Sequence, residues 1–337
     1  MSYDEKHYDE GISRKKIDDK FFYYYINNGK EITKKDLERI NKLKIPPAWY
    51  NLWVARDSES NIQAIGTDIK GRKQYKYHQV HIESAEKDKF FRLYNFIRDI
   101  PKLNKILSID GSVPMYDRAR VISVMLQMVQ DYHLRVGKEI YARKNKSYGI
   151  SSLRKKHVKI DNGVIHLKFK GKSNQRLHYT IKNEYYIKSI KMLMKLAGDK
   201  LFQYITTDIN GAEKIMNISD KDLNMYIQEN MAPDYSIKDF RTYGANYYFI
   251  KSLLRETQRR TPSDRKSIKK NIINAFKSTA RQLKHTKSIS KKSYVMNFAL
   301  ELYQNNPELF TEHKNEDPND FLIVLLKMYK KNILSLE

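Results

Sequence analysis

The stretch VIHLKFKGKSNQRLHYTI (164–181) alternates twice. Ile165, Leu167 and Phe169 stand against His166, Lys168 and Lys170, and RLHYTI alternates again after GKSNQ. A period of two on both sides of a short polar turn predicts a β-hairpin with Lys172 at or near its tip. GKS looks like the end of a phosphate-binding P-loop. That motif needs a glycine five residues before Gly171, where His166 stands, and a helix after the lysine, where a second strand follows. The nucleotide-binding reading therefore fails on geometry.

The surroundings of the hairpin are mostly helical. Val121, Val124, Met125, Met128 and Tyr132 recur at helical spacing over 116–133, the pattern of a core helix. From about 184 to 334 the periodicity reads mostly helical. Residues 82–108 also read as helix, with Phe90, Phe91, Tyr94, Phe96 and Ile97 at roughly helical spacing. Upstream the character changes. Residues 1–45 are polar and charged apart from FFYYY (21–25). After IPPAW, the segments NLWVAR, NIQAIGTD and RKQYKYH are short and partly alternating, separated by SES and IKG. They read as a small antiparallel sheet. SIDGSVPM (108–115) carries the glycine and proline of a linker. The expected organisation is α+β: an N-terminal β-rich domain with helices over 1–108, and a larger, mostly helical domain carrying the hairpin over 109–337.

Composition narrows the partners. The 337 residues hold 64 Lys and Arg against 39 Asp and Glu, a formal charge of +25. Such an excess repels itself in a compact chain and suits a polyanion, nucleic acid first and an anionic membrane surface second. There is no cysteine, hence no disulfide, thiolate metal site or Cys nucleophile. The N-terminus has no apolar core of a secretory signal, and FLIVLLKMY (321–329) is too short to span a bilayer. A soluble, intracellular protein is expected. Neither HExxH nor an EF-hand loop is present, and no carboxylate cluster suggests a two-metal nuclease; no metal site is expected.

Other residues carry candidate chemistry. Arg135 follows the core helix, as a macrodipole partner or a phosphate clamp. Arg241 lies among aromatics in IKDFRTYGANYYF, with Asp239 as a local partner. RRTPSDRKSIKKN (259–271) reads as a solvated loop or helix start that could also meet phosphates. His285 and Tyr294 bracket HTKSISKKSY. Together these residues are the parts for metal-free phosphodiester cleavage. Tyrosine is a nucleophile, two arginines and a histidine neutralise the non-bridging oxygens, and lysine is an acid for the leaving 5′-oxygen.

These motifs, in this order, resemble the small type IB DNA topoisomerases of poxviruses, other large DNA viruses and bacteria. IPPAW and GRKQYKYH resemble the N-terminal motifs of that family. RVGKEIYARKNKSYGISSLRKKHV, FKGKS, IKDFRTYGANY and HTKSISKKSY resemble its catalytic domain, which has a tyrosine-recombinase-like fold. The resemblance implies that Tyr294 forms a 3′-phosphotyrosyl link. It implies that Arg135, Arg241 and His285 stabilise the transition state, and that Lys172 is the general acid, assisted by Arg135. Gln74, Tyr75, Tyr77, Lys138 and Tyr141 match DNA-contacting positions. The hairpin departs from the family in two places: Ser173 replaces the acidic residue of poxvirus enzymes, and Asn174 a glycine common in bacterial ones. The implied activity is relaxation of supercoiled duplex DNA by nicking, swivelling and religation. It would need no ATP, metal or other cofactor, and would be performed by a monomer closed around the duplex as a C-shaped clamp. A viral factory, a virion or a bacterial cytoplasm is the expected setting, and the A+T-rich codon character favours a large DNA virus. A tyrosine site-specific recombinase and a non-catalytic duplex-binding protein are the alternatives. The first predicts paired-site synapsis, and the second predicts that Tyr294→Phe changes nothing.

Overall fold

The computed structural model describes residues 10–334. The start of the polar segment read as lacking a secretory signal lies outside them. The chain groups into two compact units, one ending at Lys89 and the other starting at Phe90.

In the first unit β1 (Ile12–Ile17) and β2 (Lys20–Tyr25) form a hairpin, followed by α1 (Lys34–Lys42). β3 (Tyr50–Val54), β4 (Ile62–Thr67) and β5 (Lys73–Tyr77) complete an antiparallel sheet of order β2-β1-β3-β4-β5. The β1–β2 hairpin was not read from the sequence. Its turn is Asp18–Asp19, both with left-handed φ of 46° and 60°, a pair that favours the tight turn whose twist suits a hairpin. Ile12, Leu52, Val54 and Ala64 pack with Ile40 of α1. Arg39 of α1 is tied to the sheet through Gln63 Oε1 at 2.9 Å and the Ala55 carbonyl at 2.6 Å.

Helix α2 (Gln79–Asp110) carries the chain from one unit into the other. The expected boundary at 108 differs from the division at 89/90 for a physical reason. Phe90, Leu93, Phe96, Ile97, Leu103 and Leu107 are all buried in the cores of the second unit. The segment 111–117 is then a turn into α3 (Arg118–Tyr132), with Gly111 N–H donating to the Leu107 carbonyl.

After α4 (Glu139–Asn145) come β6 (Val158–Asp161), β7 (Val164–Lys170) and β8 (Arg176–Ile181), a three-stranded antiparallel sheet. In the predicted hairpin Ile165, Leu167 and Phe169 pack inward with Leu177, Tyr179 and Ile181. α5 (Glu184–Leu193) follows. A second hairpin, β9 (Gln203–Thr207) and β10 (Glu213–Asn217), interrupts the region read as helical. β10 is exposed throughout, so it carries no apolar alternation to read. The remaining helices are α6 (Asp220–Asn230), α7 (Ile237–Arg259), α8 (Arg265–Gln282), the single turn α9 (Lys287–Ile289), α10 (Asn297–Asn305), α11 (Pro307–Glu312) and α12 (Pro318–Leu334).

This unit has two cores. One packs α2 and α3 against the three-stranded sheet, α5 and α6; the other gathers α8, α10, α11 and α12. α7 runs through both, with Phe240 in the first and Ala245, Phe249 and Leu253 in the second. Arg241 thus sits on a fully packed helix where one core gives way to the other. Among the described residues no helix is long and apolar enough to cross a membrane.

Candidate active site

Arg135 lies beyond α3, which ends at His133 in the left-handed conformation with φ 51°. The chain then passes unusually close to 149–152. Ile150 N–H donates to the Arg135 carbonyl and Ser151 N–H to that of Val136, each at 2.8 Å. Two glycines permit this approach. A Cβ on Gly149 would meet the Arg135 carbonyl oxygen at 2.4 Å, and one on Gly137, which has φ +75°, would meet Gly149 N at 2.4 Å. Arg135 is therefore held by backbone. Among the described residues its guanidinium has no carboxylate or hydrogen-bond partner.

Arg241 is 3% exposed. One Nη donates to the His133 carbonyl and the other to the Leu283 carbonyl at 2.9 Å. That second Nη is 3.4 Å from His285 Nδ1. Asp239 is not its partner, because residues two apart on a helix do not face each other. Asp239 instead pairs with Arg92 at 3.2 Å and caps Ser236. Among the described residues no carboxylate neutralises Arg241. A buried cation held by two carbonyls and an imidazole, with no carboxylate, is set up to receive an anion.

His285 is buried between these groups. A guanidinium can only donate, so Nδ1 accepts and Nε2 carries the proton. Nε2 lies 2.7 Å from Ser290 Oγ, to which it donates. Burial first, then the charges of Arg241 and Arg135, push the imidazole down to about 3. It is a neutral donor at any ordinary pH.

Tyr294 ends a π-helical turn, Ser290–Tyr294, closed by Val295 N–H donating to the Ser290 carbonyl at 3.0 Å. Such turns widen the helix and re-aim a side chain, and they recur at functional sites. The Tyr294 ring stacks on His285 with centroids 5.4 Å apart, and the Arg241 guanidinium carbon is 5.8 Å from its centroid. Burial acts to raise the phenol, but Arg241, Arg135 and Lys172 together outweigh it and hold it below the usual tyrosine range. Lys172 is exposed in the β7–β8 turn. Its charge acts on Tyr294 from there. Beside His285 an open cleft of ≈ 400 Å³ runs between Gln175–His178 and Ala280–Lys284.

Four stretches of the chain thus converge: Arg241, His285 and Tyr294 are in contact, and the charges of Arg135 and of Lys172 on the hairpin act on Tyr294. Among the described residues no group of three or more metal-ligating side chains is present.

Two family models match this chain: the eukaryotic DNA topoisomerase I catalytic core over residues 70–317, and the bacterial DNA topoisomerase IB N-terminal domain over 21–68. The chain is 69% identical over 334 residues to DNA topoisomerase 1B of Acanthamoeba polyphaga mimivirus, covering 99% of each. It is 30% identical over 247 residues to DNA topoisomerase 1B of Vaccinia virus (strain Copenhagen), covering 72% of each. With DNA topoisomerase 1 of Rabbit fibroma virus (strain Kasza) the figures are 28% over 275 residues and 79% of each. The chain belongs to the type IB DNA topoisomerases.

In the first unit of this topoisomerase the DNA-contact candidates fall on both faces of β5. Tyr75 and Tyr77 point outward from β5, 42% and 43% exposed, with rings stacked at 6.0 Å. Gln74 is on the opposite face of the strand, half-buried, its Nε2 donating to Asp68 Oδ2 at 3.0 Å. In the second unit Lys138 caps α4, and Tyr141, three residues on, is 52% exposed. Glu139 anchors that helix to Lys200 at 2.6 Å and to Arg154.

Three residues of the site escaped the sequence reading. Asn246 holds the backbone around Tyr294, Ser290 holds the His285 proton, and His133 supplies the carbonyl that seats Arg241. Only Asn246 left a signal, a polar residue about one and a half turns beyond Arg241 and next to the apolar positions Ala245, Phe249 and Ile250.

Proposed function

We propose that Tyr294 is the nucleophile with which this type IB topoisomerase nicks one strand of duplex DNA. The phenolate oxygen attacks phosphorus in line and the P–O5′ bond breaks. The phenol proton passes to solvent, and the Lys172 ammonium gives its proton to O5′, with Arg135 assisting. The product is a 3′-phosphotyrosyl link and a free 5′-hydroxyl. Arg135, Arg241 and the His285 Nε2–H donate to the non-bridging oxygens, where negative charge grows. For that His285 must exchange Ser290 for the phosphate. Supercoils are lost by swivelling about the intact strand. Religation runs the same steps backward, with the 5′-hydroxyl displacing the phenolate and Lys172 taking the proton back. The bond energy is conserved in the phosphotyrosine, so neither nucleotide nor metal is required.

The observation that carries this reading is the phenol of Tyr294 beside buried Arg241, a cation left without a carboxylate. Tyr75, Tyr77, Lys138 and Tyr141 are proposed as contacts to the duplex, and Gln74 as a brace for its strand. The protein acts as a monomer, with the units divided at 89/90 both engaging DNA, and works in a viral factory or virion. The test is relaxation of supercoiled plasmid in EDTA without nucleotide. The native protein should relax it, and Tyr294→Phe should bind duplex but not relax it. An inert native protein or an active Tyr294→Phe would overturn the assignment.

A further inference from the structure

α7 carries a second polar feature on the face it shares with Arg241. Tyr248, Ser252 and Arg255 lie seven, eleven and fourteen residues further on. At about 100° per residue they fall within about 40° of the Arg241 direction, and at about 1.5 Å per residue they begin some 10 Å away and extend to about 21 Å. With Gln282 of α8 and Lys314 and Asn315 of the segment before α12, they line a cleft of ≈ 330 Å³.

The lining is cationic. Lys251, Arg255 and Lys314 face Glu316 as the single lining carboxylate. Glu316 is already engaged by His313 Nδ1 at 2.7 Å. Among the described residues Arg255 has only a loose contact of 3.8 Å, to Glu256, and its side chain is 48% exposed. The cleft is also built rather than incidental. Gln258 Nε2 donates to the Lys314 carbonyl and to Asn315 Oδ1, each at 3.0 Å, fixing the far wall to α7. Ser252, 2% exposed and part of the lining, has a hydroxyl with no hydrogen-bond partner among the described residues. An unpaired buried hydroxyl in a native fold calls for an explanation.

We propose that this cleft is an anion site that receives a phosphate group. Arg255 supplies a planar fork of donors suited to phosphate oxygens and the two lysines supply point charges. Gln282 and Asn315 contribute neutral amide donors. Ser252 gains the missing partner when its hydroxyl turns to the bound oxygen. Phosphate can come from a free polyphosphate compound or from the backbone of a second DNA segment, and the chemistry of the cleft is the same for both.

A chain of net charge +25 attracts polyphosphate over its whole surface, so the test needs a charge-matched control. Inorganic tripolyphosphate is titrated calorimetrically into the full chain at about 0.15 M salt, where diffuse attraction is screened. Native protein and the control Lys188→Glu/Lys191→Glu, two exposed lysines of α5, should show one saturable site. Lys251→Glu/Arg255→Glu should weaken it at least tenfold, and Arg255→Gln, which keeps the lysines, severalfold. Equal weakening in the control, or no saturable site in the native protein, overturns the proposal. A labelled second duplex is then offered to protein saturated with a short first duplex. Loss of that second binding in the cleft variant alone assigns the phosphate to DNA. An unchanged second duplex with lost tripolyphosphate assigns it to free phosphate compounds.

Discussion

The side chain of Asn246 grips the backbone on both sides of Val295. Its Nδ2 donates to the Tyr294 carbonyl at 3.0 Å, and its Oδ1 accepts from Met296 N–H at 2.9 Å. Nδ2 also donates to the Thr242 carbonyl one turn back on α7. The amide is 1% exposed. The nucleophile candidate and Arg241 are therefore referenced to the same helix, which is how a short π-helical turn gains the precision that in-line attack demands.

Asn246→Ala removes both anchors and leaves a carbonyl and an N–H unpaired in a buried place. Each such loss costs about 1–3 kcal/mol. The expected outcome is a destabilisation of about 2–4 kcal/mol in urea melts and a single-turnover DNA cleavage rate lowered about 10- to 100-fold. Duplex affinity should change little. A variant that loses stability yet cleaves at the native rate would show the clamp to be structural only.

Arg241→Lys is not a conservative change. One ammonium cannot reach the His133 and Leu283 carbonyls and also meet a phosphate oxygen, as the guanidinium fork does. Loss of one well-placed charge donor typically costs about 10²–10³ in rate. Single-turnover cleavage at saturating protein should fall by that order. If it stays within about threefold, as measured donor losses do not, Arg241 lies outside the transition state.

Three buried histidines make stability fall in mild acid. Burial, chiefly, pushes His133 and His157 each down to about 4 and His285 to about 3. Their ordinary value is 6.5. Between those limits the unfolded chain binds more protons than the folded one, so unfolding free energy rises with pH. Stability present above about 6.5 is therefore lost progressively toward pH 3–4. The Tm should drop from pH 7 to pH 5, and His157→Gln, outside the catalytic cluster, should flatten that slope. A Tm independent of pH over this range would remove the account. Cleavage should show no limb from His285 between pH 5 and 9, because it stays neutral there.

What the sequence revealed depended on where the partner of each residue lies. The β7–β8 hairpin was legible because buried and exposed residues alternate strictly, and Lys172 came with it. The sheet around Trp53 and Ile65 was legible instead from short apolar segments bounded by turn residues, since β3 and β4 bury continuous runs rather than alternate residues. β10 was not, since all five of its residues are exposed. The left-handed Asp18–Asp19 pair was a usable turn signal that the charged surroundings masked. Arg241, His285 and Tyr294 were legible as residue types in order, but their joint geometry was not. Arg241 is seated by carbonyls 108 and 42 residues away, and backbone acceptors leave no mark in side-chain patterns. The same holds for Asn246, whose anchors are 48 and 50 residues away.

Gly244 and His133 provide a test of that seat. Gly244 is in mid-α7, where glycine costs about 0.5–1 kcal/mol relative to alanine, so Gly244→Ala should stabilise if space allowed. It does not. A Cβ there would lie 2.8 Å from His133 Cε1 and 2.9 Å from Nδ1. The imidazole cannot move freely, because Tyr248, one turn further along α7, also meets it in an edge contact with centroids at 5.2 Å. Gly244→Ala should therefore destabilise by about 1–3 kcal/mol, as overpacking does. It should also slow cleavage, since displacing His133 moves the carbonyl that seats Arg241. His133→Gly/Gly244→Ala removes the ring, suits the left-handed φ of 51° at 133 and leaves the carbonyl in place. The double variant should regain most of the cleavage rate and more stability than the two single changes sum to, a coupling that a double-mutant cycle measures directly. Additive single effects would mean that the ring and the glycine do not touch in solution, and that Arg241 is seated by other means.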